Sequence, residues 1–290
     1  MVKGYSVKPT FLLCIGEPKS GTSWLHYYLH LSSKFADVGI KEFNVWTSYF
    51  NLGIIGEKNS TFDRMSKGLP INKESNQWNH KTRGDLKLLC CMEKIEGFYA
   101  EYFNALISDT DYTIVGDFSP NYKILGEYEL RYIKHTLSKY FNVKLVYLFR
   151  DPIERAWSAH IHRAQALGRR LDVEQFFEEF NIDDYFSQSS FYDRTAKNIR
   201  KVFDVEDSFI EPYEFFFTEK KIKQLSEWLG IEYNKEAIQR KINKRFIDKP
   251  LPVDVKKRMY ELVKDDYKDT YEWCKESFPL VYDKWMESLT

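Results

Sequence analysis

The sequence predicts an α/β fold, P-loop-like and three-layered, in which a central, mostly parallel sheet is flanked by helices. Three observations carry that expectation. A short apolar run at 11–15 passes through Gly16-Glu17-Pro18-Lys19-Ser20-Gly21 into residues spaced as on a helix. Two further apolar runs, 112–115 and 143–149, each reach a glycine- or proline-bearing turn before another helical stretch. Strands that alternate with helices in this way build a mostly parallel sheet covered on both faces.

Taken in order, the first strand is 11–15, and Trp24, Leu25, Tyr28, Leu29 and Leu31 place the first helix after its loop. The second strand, 112–115, enters Gly116-Asp117-Phe118-Ser119-Pro120. The third, 143–149, stops at Arg150-Asp151-Pro152, and a proline suits the first turn of a new helix. Residues 208–217 are the candidate fourth strand. Helical patterns cover about 94–108, 126–140, 153–168, 192–204 and 218–229, and a largely helical C-terminal part runs from about 253 to 288. Residues 50–92 break the rhythm with the polar run NKESNQWNHKTRG, which reads as a long surface excursion. With no internal repeat and no linker, the chain is expected to form one domain over 1–290.

Composition bounds the function. Hydrophobic residues at 43% and aromatic residues at 17% of 290 positions supply a large core and argue against disorder. The 43 basic residues balance the 43 acidic ones, so bulk charge gives no drive toward nucleic acid or a membrane surface. Any anion site is therefore local. Cys14, Cys90, Cys91 and Cys274 form no CxxC pair and no metal-ligand spacing, and are expected to be reduced, buried thiols. The first ten residues lack the apolar segment of a signal peptide, and no stretch approaches the length of a membrane span. A cytoplasmic location is the expectation.

The loop Gly16-Glu17-Pro18-Lys19-Ser20-Gly21-Thr22-Ser23 has the outline of a phosphate cradle. Glycines let the backbone approach a phosphate, and the following helix offers free N–H groups and the positive end of its dipole. A nucleotide triphosphatase would carry lysine directly after the second glycine. Here Thr22 holds that place and Lys19 lies inside the loop. The third strand ends in Arg150 rather than in a lone aspartate for magnesium, although Asp151 follows. Both departures count against a metal-dependent kinase or hydrolase.

Pro18-Lys19-Ser20-Gly21-Thr22-Ser23-Trp24-Leu25 closely resembles the 5′-phosphosulfate-binding loop of the sulfotransferases. Residues 149–160, from Phe149-Arg150-Asp151-Pro152 through Ser158 to His160, resemble the same family's 3′-phosphate motif, in which an arginine and a serine eight positions later hold the nucleotide. The motifs lie about 130 residues apart, in the family's order, each after a strand. The resemblance implies 3′-phosphoadenosine-5′-phosphosulfate (PAPS) as donor, no metal, and PAPS, its 3′,5′-bisphosphate product (PAP) and an acceptor as partners. The spacing fits that role: the strand end and the helix begun by Pro152 converge on one phosphate, where a guanidinium gives paired donors and a hydroxyl adds another. A surface ion pair with Asp151 or Glu154 is the alternative for Arg150.

Sulfuryl transfer asks the protein for positioning and charge stabilisation more than for covalent chemistry. Gly39-Ile40-Lys41-Glu42-Phe43 is similar to the Lys-Glu segment of heparan-type carbohydrate sulfotransferases. Carried over, Glu42 takes the acceptor proton, while Lys41 and Lys19 stabilise the departing phosphate. Ser119, Pro120 and Asn121 resemble a segment that lines the acceptor site. Tyr192 resembles the start of a helix that closes over the nucleotide, and Lys244 and Arg245 a basic loop near its phosphates. His26 and His30 have a spacing that could bind metal, but no acidic partner is evident nearby and a packing or surface role is expected. His160 is expected to pack or to touch the nucleotide. The resemblance implies a sulfotransferase with a carbohydrate acceptor. A kinase-like phosphotransferase and a non-catalytic nucleotide- or glycan-binding protein are the alternatives, and oligomeric state is not legible.

Overall fold

The computed structural model describes residues 8–52, 83–180, 190–239 and 250–290. Four strands, β1 (Thr10–Gly16), β2 (Ile114–Phe118), β3 (Asn142–Phe149) and β4 (Ser208–Pro212), pair in the order β2-β1-β3-β4. Every pairing is parallel. The described helices, numbered along the chain, are α1 (Thr22–His30), α2 (Val45–Tyr49), α3 (Arg83–Lys94), α4 (Phe98–Ile107), α5 (Glu127–Leu137), α6 (Pro152–Ala166) and α7 (Val173–Glu179). They continue with α8 (Tyr192–Val202), α9 (Tyr213–Phe216), α10 (Glu219–Leu229), α11 (Lys235–Gln239), α12 (Val253–Val263), α13 (Lys268–Ser277) and α14 (Pro279–Glu287).

Alternation along the strands creates the three layers. Phe11, Leu13 and Ile15 of β1 point to one face, where they join Phe103 of α4, Ile133 of α5, Ile199 of α8 and Trp285 of α14. Leu12 and Cys14 point to the other, against Trp24, Leu25 and Tyr28 of α1 and Leu225 of α10. A strand covered on both faces reads as an unbroken apolar run, which is why 11–15 stood out in the sequence. β2 lies so close to β1 that a side chain at Gly116 would collide with the Leu12 carbonyl.

Four expected elements differ. The second strand, read at 112–115, is Ile114–Phe118, so Gly116, Asp117 and Phe118 belong to the strand and not to the turn after it. The strand read at 208–217 ends at Pro212, and the aromatic residues after it form the short α9 before Thr218 caps α10. The helix read at 94–108 is α4, which starts only at Phe98, because Gly97 at φ 81° separates it from α3, which ends at Lys94. The excursion at 50–92 is not irregular throughout: α3 begins at Arg83 and buries Leu86, Leu89 and Met92 at helical spacing. The polar run before α3 hid that periodicity, and residues 53–82 lie outside the described set. All four cysteines are free thiols, but only Cys14 and Cys274 are buried, Cys90 and Cys91 being half-exposed on α3. Among the described residues no helix is long and apolar enough to cross a membrane.

Candidate active site

The site forms where the chain, after adding β2 on one side of β1, adds β3 on the other. That reversal opens a crevice at the C-terminal ends of β1 and β3, the usual ligand position in such sheets. The β1 end supplies the glycine-bounded loop. Lys19 and Gly21 take left-handed backbone, with φ 68° and 96°, which turns the loop over the start of α1. At Gly21 a side chain would also meet the Phe217 ring at 3.0 Å. No side chain caps α1, so its first N–H groups face the loop. Ser20 is fully buried and its hydroxyl has no hydrogen-bond partner. An orphaned hydroxyl beside free helix N–H groups fits a phosphate oxygen.

The β3 end supplies Arg150 and, through Asp151, the start of α6. Asp151 is the helix cap: its carboxylate accepts from the N–H groups of Ile153 and Glu154 at 2.9 and 3.1 Å. Its other oxygen lies 2.7 Å from Lys256. That carboxylate is thereby committed to the helix and a buried ammonium. The Arg150 guanidinium rests on the Tyr213 ring, 4.7 Å from its centroid, and makes a 3.4 Å pair with Glu154. The ion pair read as an alternative does form, at a separation too long for a strong hydrogen bond. On α6, Glu154, Ser158 and His162 are half-buried at four-residue spacing, on one stripe of the helix that pairs with Arg150 at Glu154 and senses Lys19 and Glu42 at His162.

Lys41 and Glu42 follow from a segment stapled to the end of β2. The Phe118 amide donates to the Lys41 carbonyl at 3.2 Å, and the Asn44 amide to Ser119 Oγ at 3.0 Å. Asn121 Nδ2 donates to Asn44 Oδ1 at 3.1 Å. Beneath them the buried Asp117 accepts from Tyr99 and Tyr122, each at 2.8 Å, and from Ser119. Burial raises the Asp117 carboxyl to about 6 against those bonds. Lys41 and Glu42 form a 3.0 Å ion pair and keep partial exposure.

These parts share one electrostatic neighbourhood. The Lys19 ammonium is pushed down to about 8, first by burial and then by Arg150 and Lys41, with Glu42 pulling the other way. His162 is lowered by burial and then by Lys19, again opposed by Glu42. A cluster of cations around one carboxylate binds an anion and accepts a proton beside it.

Of the expected residues, Lys19, Ser20 and Gly21 build the loop, Thr22 and Ser23 start α1, Lys41, Glu42 and Arg150 act on Lys19, and Ser158 lies half-buried on α6 between Glu154 and His162. Trp24 is turned into the core, stacked on Tyr28 at 5.0 Å with its indole N–H on the Ala237 carbonyl. Tyr192 is wholly buried, and its hydroxyl holds the Arg150 carbonyl at 2.6 Å. Ser119 and Pro120 are buried, and Asn121 braces Asn44. Lys244 and Arg245 lie outside the described residues. His160 packs on Trp157 and Phe176. The acidic partner that His26 and His30 lacked in the sequence is Asp37, 2.7 Å from His30 and 3.7 Å from His26. Among the described residues no group of three such side chains could hold a metal ion.

Sequence reasoning missed His162, Glu17 and Asp117 as parts of the site. His162 was findable as the position one turn beyond Ser158. The other two gain their place only through tertiary contacts.

Comparison with known proteins places the family and the fold. The sequence model of a family described as the sulfotransferase domain matches residues 9–259. A sulfotransferase structure from Alicyclobacillus acidocaldarius superposes with a TM-score of 0.58 at 14% identity, covering 97% of this chain and 100% of that one. The sulfotransferase domain of the curacin biosynthetic pathway gives 0.47 at 16% identity, covering 83% and 81%. The corresponding domain of the Synechococcus PCC 7002 olefin synthase gives 0.48 at 16% identity, covering 87% and 85%. At these identities the first likeness speaks for the fold alone. No curated protein sequence matches.

Proposed function

The chain belongs to the sulfotransferase domain family, and on that premise we propose that it transfers a sulfuryl group from PAPS to a hydroxyl or amine of a carbohydrate. The observation that carries this reading is the convergence of Arg150, Lys41 and Glu42 on Lys19 at the C-terminal ends of β1 and β3. When bound, the nucleotide supplies the sulfuryl group and keeps its bridging oxygen as it departs as PAP.

The loop 18–23 and the start of α1 hold the 5′-phosphate through backbone N–H groups and the Ser20, Thr22 and Ser23 hydroxyls. Arg150 and Ser158 hold the 3′-phosphate. Glu42 accepts the proton of the attacking hydroxyl or amine, and Lys19 and Lys41 stabilise negative charge on the bridging oxygen. Burial first, and then the neighbouring Arg150 and Lys41, lower the affinity of Lys19 for its proton, and an incoming phosphosulfate offsets that surplus positive charge. His162 shares the electrostatic neighbourhood of Lys19 and Glu42. The carbohydrate assignment is supported by the Lys-Glu segment and by its staple to residues 117–122.

The test is sulfuryl transfer from labelled PAPS to a panel of saccharides, phenols and a tyrosyl peptide. The expected result is label in a saccharide, with Glu42→Gln lowering turnover by about 100-fold or more and sparing PAP binding. Full turnover by Glu42→Gln contradicts the base assignment, and label confined to phenol or peptide contradicts the acceptor assignment.

A further inference from the structure

Glu17 is an anomaly in a loop that reads as an anion site. It lies two residues before Lys19 and is 1% exposed. Its carboxylate points away from the crevice into a buried set of groups drawn from three other elements. Tyr147 of β3 donates to Glu17 Oε1 at 2.8 Å. Lys123, from the 3-10 turn Pro120–Ile124, brings its ammonium to 3.9 Å from Oε2 and is itself 4% exposed. Arg155 of α6, fully buried, is the second cation acting on Glu17, and its Nη2 donates to Ser190 Oγ at 2.9 Å.

Tyr147, Lys123 and Arg155 act on Glu17 from β3, the turn and α6, and the buried Tyr192 of α8 interacts with it as well. The elements they belong to are those of the site. The turn follows the segment that staples Lys41-Glu42, and Arg155 lies between Arg150 and Ser158 on the chain.

We propose that Glu17 is a positioning residue that couples the phosphate loop to the 3′-phosphate helix, so that both ends of the nucleotide are held as one unit. The proposal rests on the donor reading above. A charged Glu17 draws Lys123 and Arg155 toward the loop, and the position of α6 then follows the position of residues 16–21. An uncharged side chain keeps the Tyr147 hydrogen bond and loses that pull. Burial raises the carboxyl to about 7, against Lys123, Arg155 and Tyr147. The coupling therefore exists above that pH and fades below it.

The experiment is calorimetric titration of the full chain with PAP and with adenosine 5′-phosphate, which lacks the 3′-phosphate, at pH 6 and pH 8. The quantity read is the ratio of the two dissociation constants in wild type, Glu17→Gln and Tyr147→Phe. Coupling free energy is reciprocal between linked sites, so losing it removes part of the gain from the second phosphate. At pH 8 the advantage of PAP falls about 10-fold in Glu17→Gln, and by a smaller factor in Tyr147→Phe. At pH 6 wild type and Glu17→Gln have the same ratio, which a side chain needed only for folding would not produce.

An unchanged ratio at both pH values overturns the coupling, and so does an equal loss of affinity for both nucleotides. If Glu17→Gln fails to fold, Tyr147→Phe decides alone, its pH 8 ratio either falling or overturning the proposal. A wild-type chain that binds neither nucleotide overturns the donor reading first and the coupling with it.

Discussion

Two buried carboxyls behind the crevice hold their protons more tightly than in an unfolded chain. Burial is the main cause in both, raising Glu17 from 4.5 to about 7 and Asp117 from 3.8 to about 6. Between the ordinary and the raised values the folded chain binds more protons than the unfolded one, so stability falls as pH rises through that window. Denaturant melts at pH 5 and pH 7.5 check this for Glu17. Glu17→Gln, which cannot ionise, gains stability relative to wild type as pH rises, and a relative loss would contradict the assignment. Lys19 is the converse case, lowered to about 8 by burial and by Arg150 and Lys41. Lys19→Ala weakens PAP binding by about 10-fold, the value of a charge-assisted contact, measured by calorimetry at pH 7. At this scale Lys19, Glu42, Arg150 and Ser158 were legible because their chemistry is tied to short local patterns. Glu17 and Asp117 were not, because a lone acid next to a loop looks like a solvated charge until Tyr147, Tyr99 and Tyr122 close over it.

Among the elements, α6 does most to join structure and site. Pro152 fixes its first turn, Asp151 caps it, and Lys256 of α12 ties the cap to the C-terminal helices. Asp151→Ala removes a cap and strands Lys256, which is 4% exposed. The expected loss is about 3 kcal/mol in urea melts, and a loss below about 1 kcal/mol would show that Glu154 and Ser288 suffice to hold the ammonium. Ser158→Ala is the contrasting case, with stability kept and PAP affinity about 10-fold lower, while adenosine 5′-phosphate binds as before. The start of α6 was legible from Pro152 alone. The end of β4 was not: aromatic residues at 213–217 have high strand preference, and only packing turns them into α9, where Tyr213 supports Arg150.

Across the whole molecule, the order β2-β1-β3-β4 brings the loop after β1, the segment after β2 and Arg150 after β3 to one edge of the sheet. Alternating strands and helices made a parallel sheet legible in advance. The strand order was not, because the sequence records neighbours along the chain and not neighbours in the sheet. His162 was within reach of the α6 pattern as the position one turn beyond Ser158, but its closeness to Lys19 and Glu42 comes only from the folded arrangement. On the proposed function, this edge binds a 3′-phosphorylated adenine nucleotide. The most direct test of that binding is thermal unfolding with PAP, with adenosine 5′-phosphate, and with ATP plus magnesium. At a concentration about 100 times the dissociation constant, PAP adds about 2.7 kcal/mol of stability. At about 2–4 °C per kcal/mol for a domain of 150–250 residues, that is a rise of several degrees for this somewhat longer chain. That rise is expected with PAP in the absence of metal, and a smaller one with adenosine 5′-phosphate. No shift with PAP, or a larger shift with ATP and magnesium, would contradict the proposed function.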